Sequence, residues 1–215
     1  MRVGVFGGCF NPVHVGHLSL IEEVLTRFEL EKVLVVPDAN PYYKENKEVS
    51  FDLISKMINL AIDDKWNCEI STLESDPNKD YTTYETLKVL TEDNLNNELY
   101  LILGSDQFLQ FPNWKNSDEI KDKINLIIAL RDNYNINIED YIDKNIHYSK
   151  LDSGNRAHIF KSNNDKELIF YDLIKKFDIS SSIIQKMLSL GAVDEVEQFL
   201  TPRVLNFILE KGLYR

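Results

Sequence analysis

Residues 2–17 read RVGVFGGCFNPVHVGH, and the fold follows from them. Arg2 to Phe6 has the β-branched character of a short strand and runs into Gly7 and Gly8. A turn through Asn11 and Pro12 leads to His14, Gly16 and His17, then to LSLIEEVLTRF, whose Leu18, Leu20, Ile21, Val24, Leu25 and Phe28 suit one helix face. Strand, glycine turn and helix start in that order suit an anion. Glycine lets backbone approach a phosphate with no Cβ in the way, and the N–H groups of a helix start point toward it. His14 and His17, three apart on the first turn, share a face and can both reach one phosphate group. Gly16 between them leaves room for a ligand to lie close.

Outward from this stretch, strands and helices alternate. EKVLVVP (31–37) reads as a buried strand, FDLISKMINLAIDD as a helix and CEISTLE (68–74) as a strand. TYETLKVLTEDN reads as a helix capped by Thr82 or Thr83, with Glu85 in its first turn. Leu99 to Leu103 and INLIIAL (124–130) are further buried strands. The pattern predicts an α/β fold: a Rossmann-like, doubly wound, mostly parallel sheet with a C-terminal helical extension. Ligands bind such sheets at the carboxyl ends of the strands, where Gly104 and Asp106 follow Leu103; Asp106 there can accept hydrogen bonds from ribose hydroxyls. In 132–176, IHYSKL and ELIFYDL look like strands joined by a polar connection, LDSGNRAHIFKSNNDK. DISSSIIQKMLSLG (178–191) is a helix capped by Asp178 or Ser180, and the hydroxyls of Ser180, Ser181 and Ser182 with its free N–H groups form a second anion site. Thr201 and Pro202 start a last helix, within a C-terminal helical part over 178–215. Residues 1–215 are expected to form one domain.

The 24 basic and 35 acidic residues leave a net charge of −11, which argues against a nucleic-acid surface. A phosphate site in such a chain depends on basic residues and metal gathered locally. Hydrophobic content of 43% and aromatic content of 11% are those of a folded soluble protein. No apolar run approaches the roughly 18 residues that span a bilayer, and the N-terminal strand lacks the basic flank and cleavage site of a leader. Cys9 and Cys68 have no paired spacing, which points to a reduced, cytoplasmic protein, with Cys9 a small filler in the turn. His147 and His158 lie in no metal-ligand motif, so no protein-held metal is expected.

Gly7, Gly8, Phe10, Pro12, His14, Gly16 and His17 after a strand resemble the nucleotidyltransferase superfamily whose hallmark is His-x-Gly-His, here His14, Val15, Gly16 and His17. Other segments resemble its nicotinate mononucleotide adenylyltransferase branch. Pro41 to Lys44 corresponds to a Pro-Pro-His-Lys loop, with Lys44 kept and Tyr42 and Tyr43 departing. Thr83 to Leu87 is similar to Thr-Tyr-Asp-Thr-Leu; Leu103 to Asp106 and Phe111 to Trp114 are similar to Leu-Gly-x-Asp and Leu-Pro-x-Trp. Ile179 to Gln185 resembles Ile-Ser-Ser-Thr-x-Ile-Arg, with Ser182 for threonine and Gln185 for arginine. The closing Leu213 and Tyr214 also match.

The resemblance implies adenylyl transfer from ATP to nicotinate mononucleotide, giving deamido-NAD and pyrophosphate without a covalent enzyme intermediate. It implies that His14 and His17 stabilise charge at the α-phosphate and that Lys44 contacts the triphosphate. Gly7, Gly8, Phe10, Gly16, Gly104, Asp106, Ser180, Ser181 and Ser182 would bind ATP. Thr83, Tyr84, Thr86, Arg131 and a stacking Trp114 would bind the mononucleotide. Mg2+ is expected on the ATP phosphates. The expected partners are ATP and a pyridine mononucleotide, with neither nucleic acid nor membrane; the oligomeric state, homo-oligomer included, stays open. Two alternatives stay in play. One is nicotinamide mononucleotide or another acceptor, a choice that no residue decides. The other is a nucleotide-binding protein with little turnover, suggested by Gln185 in place of the arginine and by Tyr42 and Tyr43 in the loop.

Overall fold

The computed structural model describes residues 1–40, 49–62, 66–93, 96–130, 136–138, 141, 148–154 and 156–215. Among them the strands are β1 Arg2–Gly8, β2 Lys32–Pro37, β3 Cys68–Ile70, β4 Glu98–Gly104, β5 Asn125–Leu130, β6 Tyr148–Gly154, β7 Ala157–Ser162 and β8 Glu167–Asp172. The helices are α1 Val15–Arg27, α2 Phe51–Ala61, α3 Thr83–Asp93, α4 Ser105–Gln110, α5 Ser117–Lys123, α6 Ser181–Ser189, α7 Val193–Val196 and α8 Pro202–Lys211. One sheet runs β3-β2-β1-β4-β5-β8-β7-β6. The six strands from β3 to β8 in that order are parallel, and β7 and β6 close the edge antiparallel. This is the expected α/β sheet, and its order reverses between β1 and β4.

Successive strand residues point to opposite faces, so a strand covered on both sides is apolar throughout. In β4, Tyr100 and Ile102 join the core under α1, α2, α6 and α8, while Leu99, Leu101 and Leu103 join the core under α3, α4 and α5. Both faces of the central strands are thus dry, as their continuous apolar runs require. Among the described residues no helix is long and apolar enough to cross a membrane.

Two expectations are corrected. The polar connection after β6 contains β7, which pairs antiparallel with both β6 and β8. Its sequence, AHIFKS, is too polar to read as buried, and its pairing comes from its neighbours. Ser162 and Lys166 close the following turn, with Ser162 N–H donating to Lys166 O at 2.8 Å and Asp165 at φ 62°. β3 also stops at Ile70 instead of running to residue 74. Ser71 Oγ accepts the N–H of Leu73 at 3.2 Å and turns the chain.

Candidate active site

A cavity of about 710 Å³ opens at the carboxyl ends of β1 and β4, where the strand order reverses and where doubly wound sheets bind ligands. Its wall includes Gly7, Gly8, Phe10, His14, His17, Gly104 and Asp106, then Thr83, Tyr84, Thr86 and Trp114, and finally Ser180, Ser181 and Ser182. Gly16 is not in this wall. Lys44, with its loop from Pro41, and Arg131 lie outside the described residues.

His14 is the N-cap of α1, in extended backbone at φ −142°. Its Nδ1 accepts the Gly16 N–H at 3.2 Å, and His17 Nδ1 accepts the His14 N–H at 3.2 Å, a capping box made of two imidazoles. A ring nitrogen that accepts a backbone N–H presents its lone pair, so the neutral ring carries its proton on Nε2. The rings stack with centroids 3.7 Å apart and 28° between planes. Phe10 lies edge-on to Phe6 at 5.3 Å and 5.0 Å from the His17 ring. The pair is therefore built as two aligned N–H donors in an aromatic setting.

The two glycine positions differ. A Cβ at Gly7 would meet nothing within 4 Å, so bare backbone faces the cavity there. A Cβ at Gly16 would come within 3.1 Å of the His14 ring. The room kept at Gly16 is filled by that imidazole.

Across the cavity, Thr82 and Glu85 cap α3 reciprocally, each backbone N–H reaching the other side chain at 3.3 Å. Lys115 Nζ lies 2.9 Å from Glu85 Oε1 and, with Thr82, holds that carboxyl below its ordinary range. Tyr84 donates its hydroxyl to Glu119 Oε2 at 2.9 Å, and Trp114 packs edge-on to Phe111 at 5.5 Å. Thr86 is buried and donates to Glu74 Oε1 at 2.6 Å. Burial pushes the Glu74 carboxyl up to about 7, the Thr86 hydrogen bond opposes this, and Asp38 adds to it. Glu74, Asp38 and Asp80 all line the cavity, and the sequence pattern assigns none of them to the site. A signal existed for Asp38, which directly follows β2 at the carboxyl edge of the sheet. Glu74 was hidden by the expectation that β3 continued through it.

At the second helix start, Ser180 Oγ accepts the Ile183 N–H at 3.3 Å and caps α6. Ser181 Oγ donates to Pro12 O at 2.9 Å, and Ser182 is exposed on the wall. Gln185 is not part of the cavity wall and donates to the Asn11 carbonyl at 2.5 Å. Among the described residues, no three His, Cys, Asp or Glu side chains gather to hold a metal ion.

Residues 5–187 match the model of the cytidylyltransferase-like family. The chain belongs to that family. This family member is similar over its whole length to the probable nicotinate-nucleotide adenylyltransferase of Clostridium perfringens (strain 13 / Type A). The two are 32% identical over 215 residues, covering 100% of this chain and 98% of that protein. Among solved structures, Plasmodium falciparum nicotinic acid mononucleotide adenylyltransferase complexed with NaAD matches with a TM-score of 0.78 at 19% identity, over 99% of this chain and 97% of that one. The same protein complexed with APC matches at 0.76 and 18% identity, over 99% and 96%. At these identities the likeness establishes the fold, an α/β sheet with flanking helices.

Proposed function

We propose that this cytidylyltransferase-like protein transfers the adenylyl group of ATP to nicotinate mononucleotide, forming deamido-NAD and pyrophosphate. The observation that carries the reading is the stacked His14–His17 pair at the switch crevice, beside the bare backbone of Gly7. The similarity to full-length relatives named for this reaction supports it.

A 5′-phosphate oxygen of the mononucleotide attacks the α-phosphorus in line as the bond to the bridging oxygen of pyrophosphate breaks. The attacking phosphate is already ionised, so no side chain has to remove a proton. His14 and His17 donate from Nε2 to α-phosphate oxygens whose charge grows in the transition state. Gly7, Gly8, Phe10 and Gly16 shape that wall, directly or through the His14 ring. Gly104 and Asp106 hold the nucleotide ribose, and Lys44 with the α6 start at Ser180 to Ser182 receives pyrophosphate. Trp114 stacks on the electron-poor pyridine, with Thr83, Tyr84, Thr86 and Arg131 completing the acceptor end.

The donor set fits a magnesium ion carried by the triphosphate: carboxylates and hydroxyls line the cavity, but no protein cage gathers among the described residues. Asp106 and Ser182 are among the oxygen-bearing side chains of the wall, and an ion carried by the triphosphate would neutralise phosphate charge there when bound. Both core layers share one sheet, which supports reading residues 1–215 as one nucleotidyltransferase domain.

The test is pyrophosphate release with ATP and Mg2+, comparing nicotinate mononucleotide, nicotinamide mononucleotide and phosphopantetheine. Release is expected fastest with the first and about 10²–10³-fold slower in His17→Ala, the usual effect of losing one transition-state donor. ATP binding without release from any acceptor would overturn the reaction and leave a binding protein.

A further inference from the structure

The turn that delivers the histidine pair begins on a strained residue. Phe10 has φ 46°, a left-handed conformation that a bulky side chain adopts only when its surroundings hold it. Its ring is anchored in the core, 1% exposed. The backbone after it is held from the far end of the chain. Gln185 Nε2 donates to the Asn11 carbonyl at 2.5 Å, Ser181 Oγ donates to the Pro12 carbonyl at 2.9 Å, and the Tyr214 hydroxyl donates to Asn11 Oδ1. Tyr214 is itself fixed at φ 61°, directly after α8 and its left-handed Gly212 cap. His14 follows Pro12 by two residues, so a displaced turn displaces the cap and both rings.

We propose that Gln185 and Tyr214 are positioning residues, which clamp the Asn11–Pro12 turn and thereby hold the His14–His17 pair in reactive geometry. Gln185 thus acts on the histidine turn, and not as a substitute for a phosphate-binding cation. Misplacing a reacting constellation by about 1 Å can cost about 10²-fold in rate, so a clamp remote from the substrates registers in turnover. Burial holds the Tyr214 phenol well above its ordinary range, so it stays a donor throughout the working pH range.

Tyr214→Phe removes one oxygen and keeps the ring; Gln185→Leu removes the donor at similar size. With turnover assayed as the adenylyl transfer proposed above, on which this arm rests, each variant is expected to lower kcat about tenfold, well inside the range that misplacement produces. The KM for ATP should stay within about twofold, because the phosphate-facing backbone is intact. The loss in Tyr214→Phe should be equal at pH 6 and pH 9. In an Asn11→Ala background Tyr214→Phe should have no further effect, since its hydroxyl acts through the Asn11 side chain, whereas Gln185→Leu should still lower kcat.

Ring ¹⁵N resonances of His14 and His17, recorded without substrate, are expected to move away from the Nε2-protonated pattern in both variants. Wild-type kcat in both variants, with unmoved histidine resonances, would overturn the clamp. A wild-type protein without turnover whose histidine resonances still move in the variants would sink the reaction and leave the clamp standing.

Discussion

Two helix starts face the same cavity, and they are capped in different ways. At α1 the cap is a buried imidazole, 3% exposed, which uses Nδ1 for the Gly16 N–H and keeps its proton on Nε2. At α6 the cap is an exposed serine, and the hydroxyl beside it is committed to the Pro12 carbonyl. One side chain with two separated nitrogens can therefore hold a helix end and present a donor whose direction the cap itself sets. The α6 start offers chiefly backbone N–H groups, which any small polar cap leaves in place. Substitutions should accordingly divide: chemistry is lost at α1, stability at α6.

The sharpest way to break this contrast is to separate cap from donor at residue 14. Asparagine is as good an N-cap as any residue, so His14→Asn keeps the cap and removes Nε2. It should lower kcat/KM by about 10²–10³-fold, the loss typical of one transition-state donor, with little change in thermal midpoint. His14→Ala should lose as much activity and, in denaturant unfolding, about 1 kcal/mol more stability than His14→Asn, because the cap goes too. An active His14→Asn enzyme would reduce His14 to a cap.

A third helix, α3, sharpens the contrast through pH. Glu74, hydrogen-bonded by Thr86, has its carboxyl raised from an ordinary 4.5 to about 7 in the folded protein. A raised acid binds its proton more tightly when folded. Its contribution is therefore full below pH 4.5 and is lost as pH rises through 7. The size is of order 3 kcal/mol for a shift of this extent. Glu74→Gln keeps an acceptor for Thr86 and abolishes the titration, so urea midpoints from pH 5 to pH 8 should fall less steeply in the variant. An identical slope in both proteins would show that Glu74 ionises without resistance.

The smallest expected effect is at α6. Ser180→Ala should cost about 1 kcal/mol of stability, read by urea unfolding. It should change kcat/KM by less than about fivefold, since the backbone donors of the helix start remain. A loss as large as that of His17→Ala would make the two helix starts equals in the chemistry.

Most of the parallel sheet was legible because its signals are local. Buried strands read as continuous apolar runs, helix faces repeat every three or four residues, and glycine and proline mark the turns. β7 was not legible: its polar residues suit an edge, and only pairing with β6 and β8 makes AHIFKS a strand. The histidine pair could be read from its spacing, but its tautomer could not, because that depends on which ring nitrogen meets which backbone N–H. Gly16 shows the same limit. Its smallness was visible, and the ring that fills the space was not.

The sequence by itself determined the alternation of the parallel strands with their helices, the glycine turn, the paired histidines and the cap at Thr201, and narrowed the caps of α3 and α6 to two candidates each, since each depends on residues within a few positions of one another. Tertiary structure alone decided that Glu74 meets Thr86 with Asp38 nearby in the cavity wall, and that Gln185 reaches Asn11. It also decided that Tyr214 closes on Asn11 across 203 residues of chain. Periodicity and turn chemistry report backbone conformation over one or two turns. A contact between distant segments depends instead on how whole layers pack, which no local pattern encodes.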